Sequence, residues 1–413
     1  MNEKGSNLPI VRQRNYFLIK KIIYQQSPIS RSEIAQRLSL TAPTITASVN
    51  PLISKGLIRE FPAPATSSDG KVLGRRPIML EFVPDAYYVC GIELGPYQTS
   101  FVITDICGKV VASQQIDYKS QGYTLESYEE TLDLMEAEIP AFIQRSGISE
   151  EQLLAVGVGL PGLVNGTTGK IHNTFRRSWI GHDLASDLAQ RLHTHVKIEN
   201  NVRARTICAD LFDRAVTADP LAYFFVSYGL SCPLIIDGKV LYGQSAASGE
   251  IGHTLVEFNG PKCDTCGNNG CLESVASEKA ILKRCRTIMF SGIDTILNQL
   301  CPNPEELTIT HVLKAQECDD KIANMVVKDC IRYLGVSLAS IMNLISPRTV
   351  LIDAQIFSLP QNQTAMLTTV NKNIFGINSK KPNISFVPFN PFYGARGAAA
   401  IAVKEFLLED SDD

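Results

Sequence analysis

One imidazole and three thiols fall within nineteen residues: His253, Cys263, Cys266 and Cys271. Zinc takes four nitrogen or sulfur ligands tetrahedrally, at about 2.0–2.3 Å. Gly267 and Gly270 permit the tight turn needed to bring Cys266 and Cys271 onto one ion. A full set of four leaves no position open for a substrate, so the spacing predicts a structural Zn2+, one per chain. The competing reading is a Gly- and Asn-rich loop of reduced cysteines with His253 satisfied by a backbone carbonyl. Three cysteines and a histidine at fixed offsets weigh against it.

Two short runs frame these ligands: Gly249-Glu250-Ile251-Gly252-His253 and Gly267-Asn268-Asn269-Gly270-Cys271-Leu272-Glu273. Together they resemble the signature of the ROK family, which comprises sugar kinases and sugar-responsive repressors. The family's usual C-x-C-G-x-x-G-C carries one extra residue here, as Cys263-Asp264-Thr265-Cys266. The resemblance spans nearly the whole chain. It implies that the metal loop buttresses a sugar pocket and that Glu250, His253 and Glu273 contact sugar hydroxyls. Two carboxylates beside an imidazole suit that task, because hydroxyls need fixed acceptors and a tautomer-locked donor. The same resemblance assigns sugar contacts to Gly162, Asn200 and Asn201.

A sugar kinase of this family needs four further parts. Its D-x-G-G-T-K turn is here Glu93-Leu94-Gly95-Pro96-Tyr97-Gln98, in which Pro96 removes an amide donor and Tyr97 is expected to fill the space of a phosphate. Its glycine-rich second loop is here Ser227-Tyr228-Gly229-Leu230-Ser231-Cys232-Pro233, and its I-G-G-G is Ile352-Asp353-Ala354-Gln355. The catalytic Asp of E-N-D-x-N-A is Asn201, whose amide cannot accept a proton from a sugar hydroxyl. With all four parts altered and the sugar-side residues retained, the expectation is a sensor that binds without phosphorylating. Arg203, where the family has Asn, and Arg176 are candidate contacts to an anionic effector such as a sugar phosphate, since the guanidinium fork fits phosphate.

At 413 residues, 45% of them apolar and 20% charged, the chain has material for two or three packed domains. No apolar run approaches the length of a membrane span, and no leader pattern opens the chain, so a soluble cytoplasmic protein without membrane association is expected. Eleven cysteines, an odd number, do not form a secreted disulfide framework. The net charge of −3 hides an asymmetry. Residues 1–80 hold twelve Lys and Arg against four Asp and Glu, a net of +8; the remainder holds 27 against 38, a net of −11. A basic head on an acidic body points to a polyanionic partner.

The head supplies the elements for one. Residues 9–26 have helical apolar spacing, and Ser30-Arg31-Ser32-Glu33 is a capping box opening a short second helix. A turn at Ser39–Thr41 leads to a third helix with Pro43 in its first turn and Ile45, Val49, Leu52 and Ile53 inward. That order is a helix-turn-helix. Opposite the apolar stripe lie Pro43, Ala47 and Asn50, flanked by Thr44 and Thr46, a small polar face suited to the major groove of a double-stranded DNA operator. Strands at Leu57–Phe61 and Ile78–Phe82 make a wing, and Arg75 and Arg76, in a Gly-Arg-Arg-Pro run matching the family's G-R-x-P, are candidate phosphate contacts.

From Tyr87 on, strands alternate with helices. The predicted fold is α/β: a winged helix-turn-helix at 1–82, then an actin-like (ribonuclease-H-like) ROK body. Its first lobe spans 83–200 and is rejoined by a C-terminal helix near 395–410; its second spans 201–394, with the metal loop at 253–271. The function expected is a transcriptional repressor, a homodimer or homotetramer, that binds DNA and answers to a sugar or sugar phosphate. The alternatives are a ROK kinase with an appended DNA-binding head and a DNA-bound scaffold with a vestigial sugar pocket.

Overall fold

The computed structural model describes residues 8–63, 76–121, 127–213, 220–244, 246–375 and 382–409. The chain divides into two compact units, Met1–Arg214 with Phe392–Asp413, and Ala215–Pro391.

Unit 1 begins with an N-terminal helical head: α1 (Leu8–Gln26), α2 (Arg31–Leu38) and α3 (Ala42–Ser54), then β1 (Ile58–Pro62) and β2 (Ile78–Phe82). The capping box forms as its residue types require. Ser30 Oγ accepts from the Glu33 amide, and the Glu33 carboxylate accepts from the Ser30 amide at 2.8 Å. Antiparallel β1 and β2 pair Ile58 with Phe82. Ile34, Ile45, Val49, Leu52, Ile58 and Leu80 form the buried centre. Helix α1 also anchors the head to the rest of the unit. Lys20 is buried, and its Nζ donates to the Leu407 carbonyl at 2.8 Å. Tyr24 Oη donates to the Ile106 carbonyl at 2.5 Å, and its ring meets Phe82 edge-on.

The remainder of unit 1 is a five-stranded sheet made of β3 (Tyr88–Leu94), β4 (Gln98–Asp105), β5 (Val110–Asp117), β6 (Leu153–Leu160) and β7 (Val196–Asn200). Its order is β7-β6-β3-β4-β5, with β3, β4 and β5 antiparallel and β6 and β7 added in parallel. Helices α4 (Tyr128–Arg145) and α5 (Leu184–Leu192) bury their apolar faces against it. Helix α6 (Asn201–Leu211) follows β7 directly. The C-terminal helix Tyr393–Ala402, continuing in π-helical turns to Glu409, returns to this sheet. Its Gly- and Ala-rich surface allows unusually close approach. A Cβ at Gly91 would lie 2.1 Å from the Ala395 carbonyl oxygen, and one at Gly157 would lie 1.8 Å from that of Ala398.

The boundary between units corrects the expected division at 200/201. Helix α6 belongs to unit 1, because it packs on the returning C-terminal helix, with Gly397 against the Ala204 backbone. The upper boundary falls after Pro391 rather than 394.

Unit 2 is built on β8 (Leu221–Val226), β9 (Leu234–Ile236), β10 (Lys239–Val240), β11 (Thr349–Asp353) and β12 (Asn383–Phe386), in the order β10-β9-β8-β11-β12. Asp237 and Gly238, both with positive φ, turn β9 into β10. Helices α7 (Leu272–Ala276), α8 (Glu278–Phe290), α9 (Ile309–Glu317), α10 (Lys321–Ile345) and α11 (Pro360–Asn373) supply the second core. No described helix is long and apolar enough to cross a membrane.

Candidate functional site

The metal loop is positioned by a turn at Ile251–His253 and by the start of α7, which Cys271 directly precedes. Between them the chain doubles back. Leu255 bridges Cys271, Lys262 bridges Asn269, and the Cys263 amide donates to the Asn268 carbonyl at 2.7 Å. Gly267 and Gly270 adopt φ of 82° and 72°, which a residue with a Cβ rarely holds. The ligand atoms of His253, Cys263, Cys266 and Cys271 consequently all lie within 4.8 Å of one another. Cys266 and Cys271 Sγ are 3.4 Å apart, and Cys263 Sγ is 3.8 Å from His253 Nδ1. Tetrahedral bonds of the usual length put neighbouring ligand atoms about 3.5–3.8 Å apart, so the four donors fit a metal ion. Burial pushes the Cys271 thiol up to about 12, so a metal has to displace its proton.

The extra residue of this loop is accommodated without losing a ligand. Asp264 Oδ2 accepts from Lys279 Nζ at 2.7 Å, and Thr265 Oγ1 donates to Glu273 Oε1 at 2.6 Å. That oxygen is also 3.8 Å from Cys263 Sγ. Glu273 and His253 therefore flank the same cysteine, and Glu250 begins the turn that carries His253.

The other three residues assigned to sugar lie together in unit 1, with much of their hydrogen-bonding capacity already used. Asn200 Oδ1 caps α6, accepting from the amides of Val202 and Arg203 at 2.9 and 3.0 Å. Its Nδ2 donates to the Gly162 carbonyl at 2.9 Å. Asn201 Nδ2 donates to Glu93 Oε1 at 3.3 Å. Glu93 is gripped by Arg205 at 2.9 and 3.0 Å. Its carboxylate lies against Gly394, where a Cβ would come within 2.0 Å of Oε2. Tyr97 is 61% exposed, and the corner around Glu93 is occupied by Arg205. Arg205, one turn after Asn201, was visible in the sequence only as a helical i+4 neighbour.

Arg203 is not available to an anionic effector. It is 1% exposed; its Nε is ion-paired with Glu199 at 2.7 Å, and Nη2 donates to the Val164 carbonyl. Glu199 near the end of β7 and Arg203 in the first turn of α6 are brought together by the strand-to-helix junction. Arg176 is half-buried, with its guanidinium about 5 Å from the rings of Tyr118, Phe175 and Trp179.

In unit 2, the loop that begins at Ser227 is tied to a buried acid. Ser227 Oγ donates to Glu278 Oε2 at 3.0 Å, and Tyr223 Oη donates to Asp353 Oδ2 at 2.6 Å. Burial, and then the charge of Asp353, push Glu278 up to about 7, although the Ser227 hydroxyl and the Gln355 amide pull it down. Nothing in the sequence around Glu278 marked it.

On the head, Pro43, Thr46, Ala47 and Asn50 are exposed on α3, and Thr44 is half-buried with its hydroxyl 2.9 Å from that of Thr41. Arg31, which the sequence reading did not single out, donates to Asn50 Oδ1 at 3.4 Å and is ion-paired with Glu60 of β1. It therefore joins α2, α3 and the wing. Arg76 is exposed; Arg75 lies outside the described residues.

These features define a two-unit sugar-kinase-type body behind a DNA-binding head. The ROK family model matches residues 89–405, and a winged helix-turn-helix DNA-binding model matches residues 18–59. The chain belongs to the ROK family. It is 29% identical to the xylose repressor of Bacillus subtilis (strain 168), over 96% of this chain and 97% of that one. It is also 29% identical to the DNA-binding transcriptional dual regulator NagC of Escherichia coli (strain K12), over 85% and 82%. A crystal structure of a ROK family transcriptional regulator, homologous to the Escherichia coli MLC protein, superposes with a TM-score of 0.80 at 25% identity, covering 96% of this chain and 98% of that one. A ROK glucokinase from Streptomyces griseus, solved with glucose and AMPPNP, shares the fold of the body at 19% identity and a TM-score of 0.67, covering 76% and 98%.

Proposed function

We propose that this protein is a sugar-responsive transcriptional repressor that binds its effector without phosphorylating it. The observation that carries the second half is the Glu93–Arg205 pair. An internal carboxylate, an arginine and the Asn201 amide occupy the corner where a ROK kinase needs a magnesium-binding Asp and an unpaired catalytic base. The buried Asp353, in the run that replaces the I-G-G-G loop, adds negative charge that opposes a nucleotide.

The metal of the Cys3His set is read as zinc, one per chain, in a structural role, because all four positions are taken by protein. Glu250, His253 and Glu273 are the proposed sugar contacts of unit 2. In unit 1, Asn201 Oδ1 and the second Asn200 amide hydrogen have capacity left for hydroxyls, and Gly162 serves by fixing Asn200. The relatives named for xylose and N-acetylglucosamine make those sugars, free and phosphorylated, the first effectors to try.

In the head, Pro43, Thr44, Thr46, Ala47 and Asn50 are the proposed groove contacts, with Arg76 and Arg75 on phosphates. A homodimer or homotetramer would present two heads to two half-sites. Two measurements test the reading. Affinity for an operator selected from random duplexes should fall by several powers of ten between low and physiological salt, as expected for six or more neutralised phosphates, and Asn50→Ala should alter the selected sequence. Sugar-dependent ATP turnover should be absent from the wild type and from Asn201→Asp; turnover in either would restore the kinase reading.

A further inference from the structure

Unit 2 holds a second place with ligand chemistry, apart from Glu250 and His253. Three cations, Lys279, Lys283 and Arg286, follow one another at i, i+4 and i+7 on α8, and Phe290 extends the same face by another turn. They line a groove of about 390 Å3, together with Thr287 and with Asp264 from the metal loop. Basic residues concentrated on one face run against the trend of this part of the chain, which after residue 80 carries 27 basic residues and 38 acidic ones.

The cations differ in how far they are satisfied. Lys279 is ion-paired with Asp264 at 2.7 Å. Arg286 donates through Nη2 to the Leu307 carbonyl at 3.0 Å, while its buried Nε has no acceptor among the described residues. The Lys283 ammonium, between them, has no hydrogen-bond or ion-pair partner among the described residues, and Glu305 at the rim is exposed. Asp264 already shows what the groove accepts: a tethered oxyanion on the first of the three cations. Two more cations stand beside it with donors to spare.

We propose that this groove binds a phosphomonoester, with the phosphate on Lys283 and Arg286 and the organic part against Thr287 and the exposed ring of Phe290. A phosphate dianion has three strong acceptor oxygens, enough for a guanidinium and an ammonium together. It would also compete with Asp264 for Lys279. Asp264 lies between the ligands Cys263 and Cys266, and its neighbour Thr265 holds Glu273, so occupancy of the groove is linked to the metal loop and to a proposed sugar contact. The linkage rests on the sugar reading given above; the binding itself does not.

The test is calorimetry on the full chain with inorganic phosphate, and with glucose 6-phosphate beside glucose. Phosphate and glucose 6-phosphate are expected to bind in the millimolar range or tighter. Lys283→Ala and Lys283→Glu, changes at an exposed side chain that should leave folding intact, are expected to weaken both by about tenfold or more. Glu250→Gln should leave inorganic phosphate binding unchanged. No phosphate binding up to about 10 mM, or binding equal in the wild type and Lys283→Glu, overturns the proposal. Loss of phosphate binding in Glu250→Gln overturns it too, by moving the anion to the sugar contacts. If phosphate binds as expected but no sugar in any form binds at Glu250, the sugar reading fails and the groove stands.

Discussion

The corner around Glu93 in unit 1 and the loop around Cys263 in unit 2 are both clusters of chemically capable side chains, and they are in opposite conditions. At Glu93 the groups pair with one another: both carboxylate oxygens face Arg205, and the Asn201 amide adds a third bond. At Cys263 four donor atoms converge within 4.8 Å, and the contacts among them are long, at 3.4 to 3.8 Å. Internal pairing closes a site, because a ligand must break what is already satisfied. Convergence without strong pairing marks a site for something from outside. A residue's type gives its repertoire; whether its partner is internal decides whether the repertoire is available.

Three perturbations test that contrast. The largest effect should come from the loop. Protein prepared without chelator should carry one metal ion per chain by elemental analysis, and Cys271→Ser should lose it. Structural zinc supplies on the order of 10 kcal/mol in small zinc modules, and less is expected inside a folded unit. The variant should melt at lower temperature and lose its response to sugar while still binding DNA. Wild-type protein without metal would erase the contrast.

The closed corner should respond next. Arg205→Ala leaves a mostly buried carboxylate uncompensated and should cost about 3 kcal/mol by thermal or chemical denaturation. Glu93→Gln in the same chain should recover much of that loss, because it removes the orphaned charge. Additive losses in the double variant would mean that the pair is not a closed unit.

The smallest effect belongs to Glu278, a second buried acid with internal partners. Its pKa rises from an ordinary value near 4.5 to about 7 in the fold. The folded protein therefore keeps a proton that the unfolded chain has released. The stability tied to that proton is fully present below about 4.5 and is lost as pH climbs through about 7. Across that window the loss is at most about 3 kcal/mol. Glu278→Gln should be nearly neutral at pH 5 and stabilising at pH 8, a difference read directly from melting temperatures. No change in the offset between wild type and variant over that range would contradict a buried, proton-linked Glu278.

Local patterns in the chain were legible wherever the physics is local. The capping box at Ser30 and the convergence of His253, Cys263, Cys266 and Cys271 both depend on residues close in sequence. The strand Asn383–Phe386 and the helices Leu184–Leu192 and Pro360–Asn373 escaped the sequence reading. The strand is only four residues long and becomes a strand through parallel pairing with Thr349–Asp353, over thirty residues earlier. The site shows the same division. The types and spacing of His253, Cys263, Cys266 and Cys271 sufficed, but Arg203 looked like an anion receptor until the fold buried it against Glu199.

The sequence by itself determined the order of the elements, the DNA-binding head and the His-and-Cys cluster able to hold a metal, because each is written in contiguous residue types and in their periodicity. Only the tertiary structure decided the partners of the charges. It put Arg205 on Glu93, Arg203 on Glu199, Lys20 on the Leu407 carbonyl and Lys279 on Asp264, and it left Lys283 open. The reason is that a side chain's repertoire is fixed by covalent chemistry, whereas its occupancy depends on which distant groups the packed core brings within about 3 Å and shields from water.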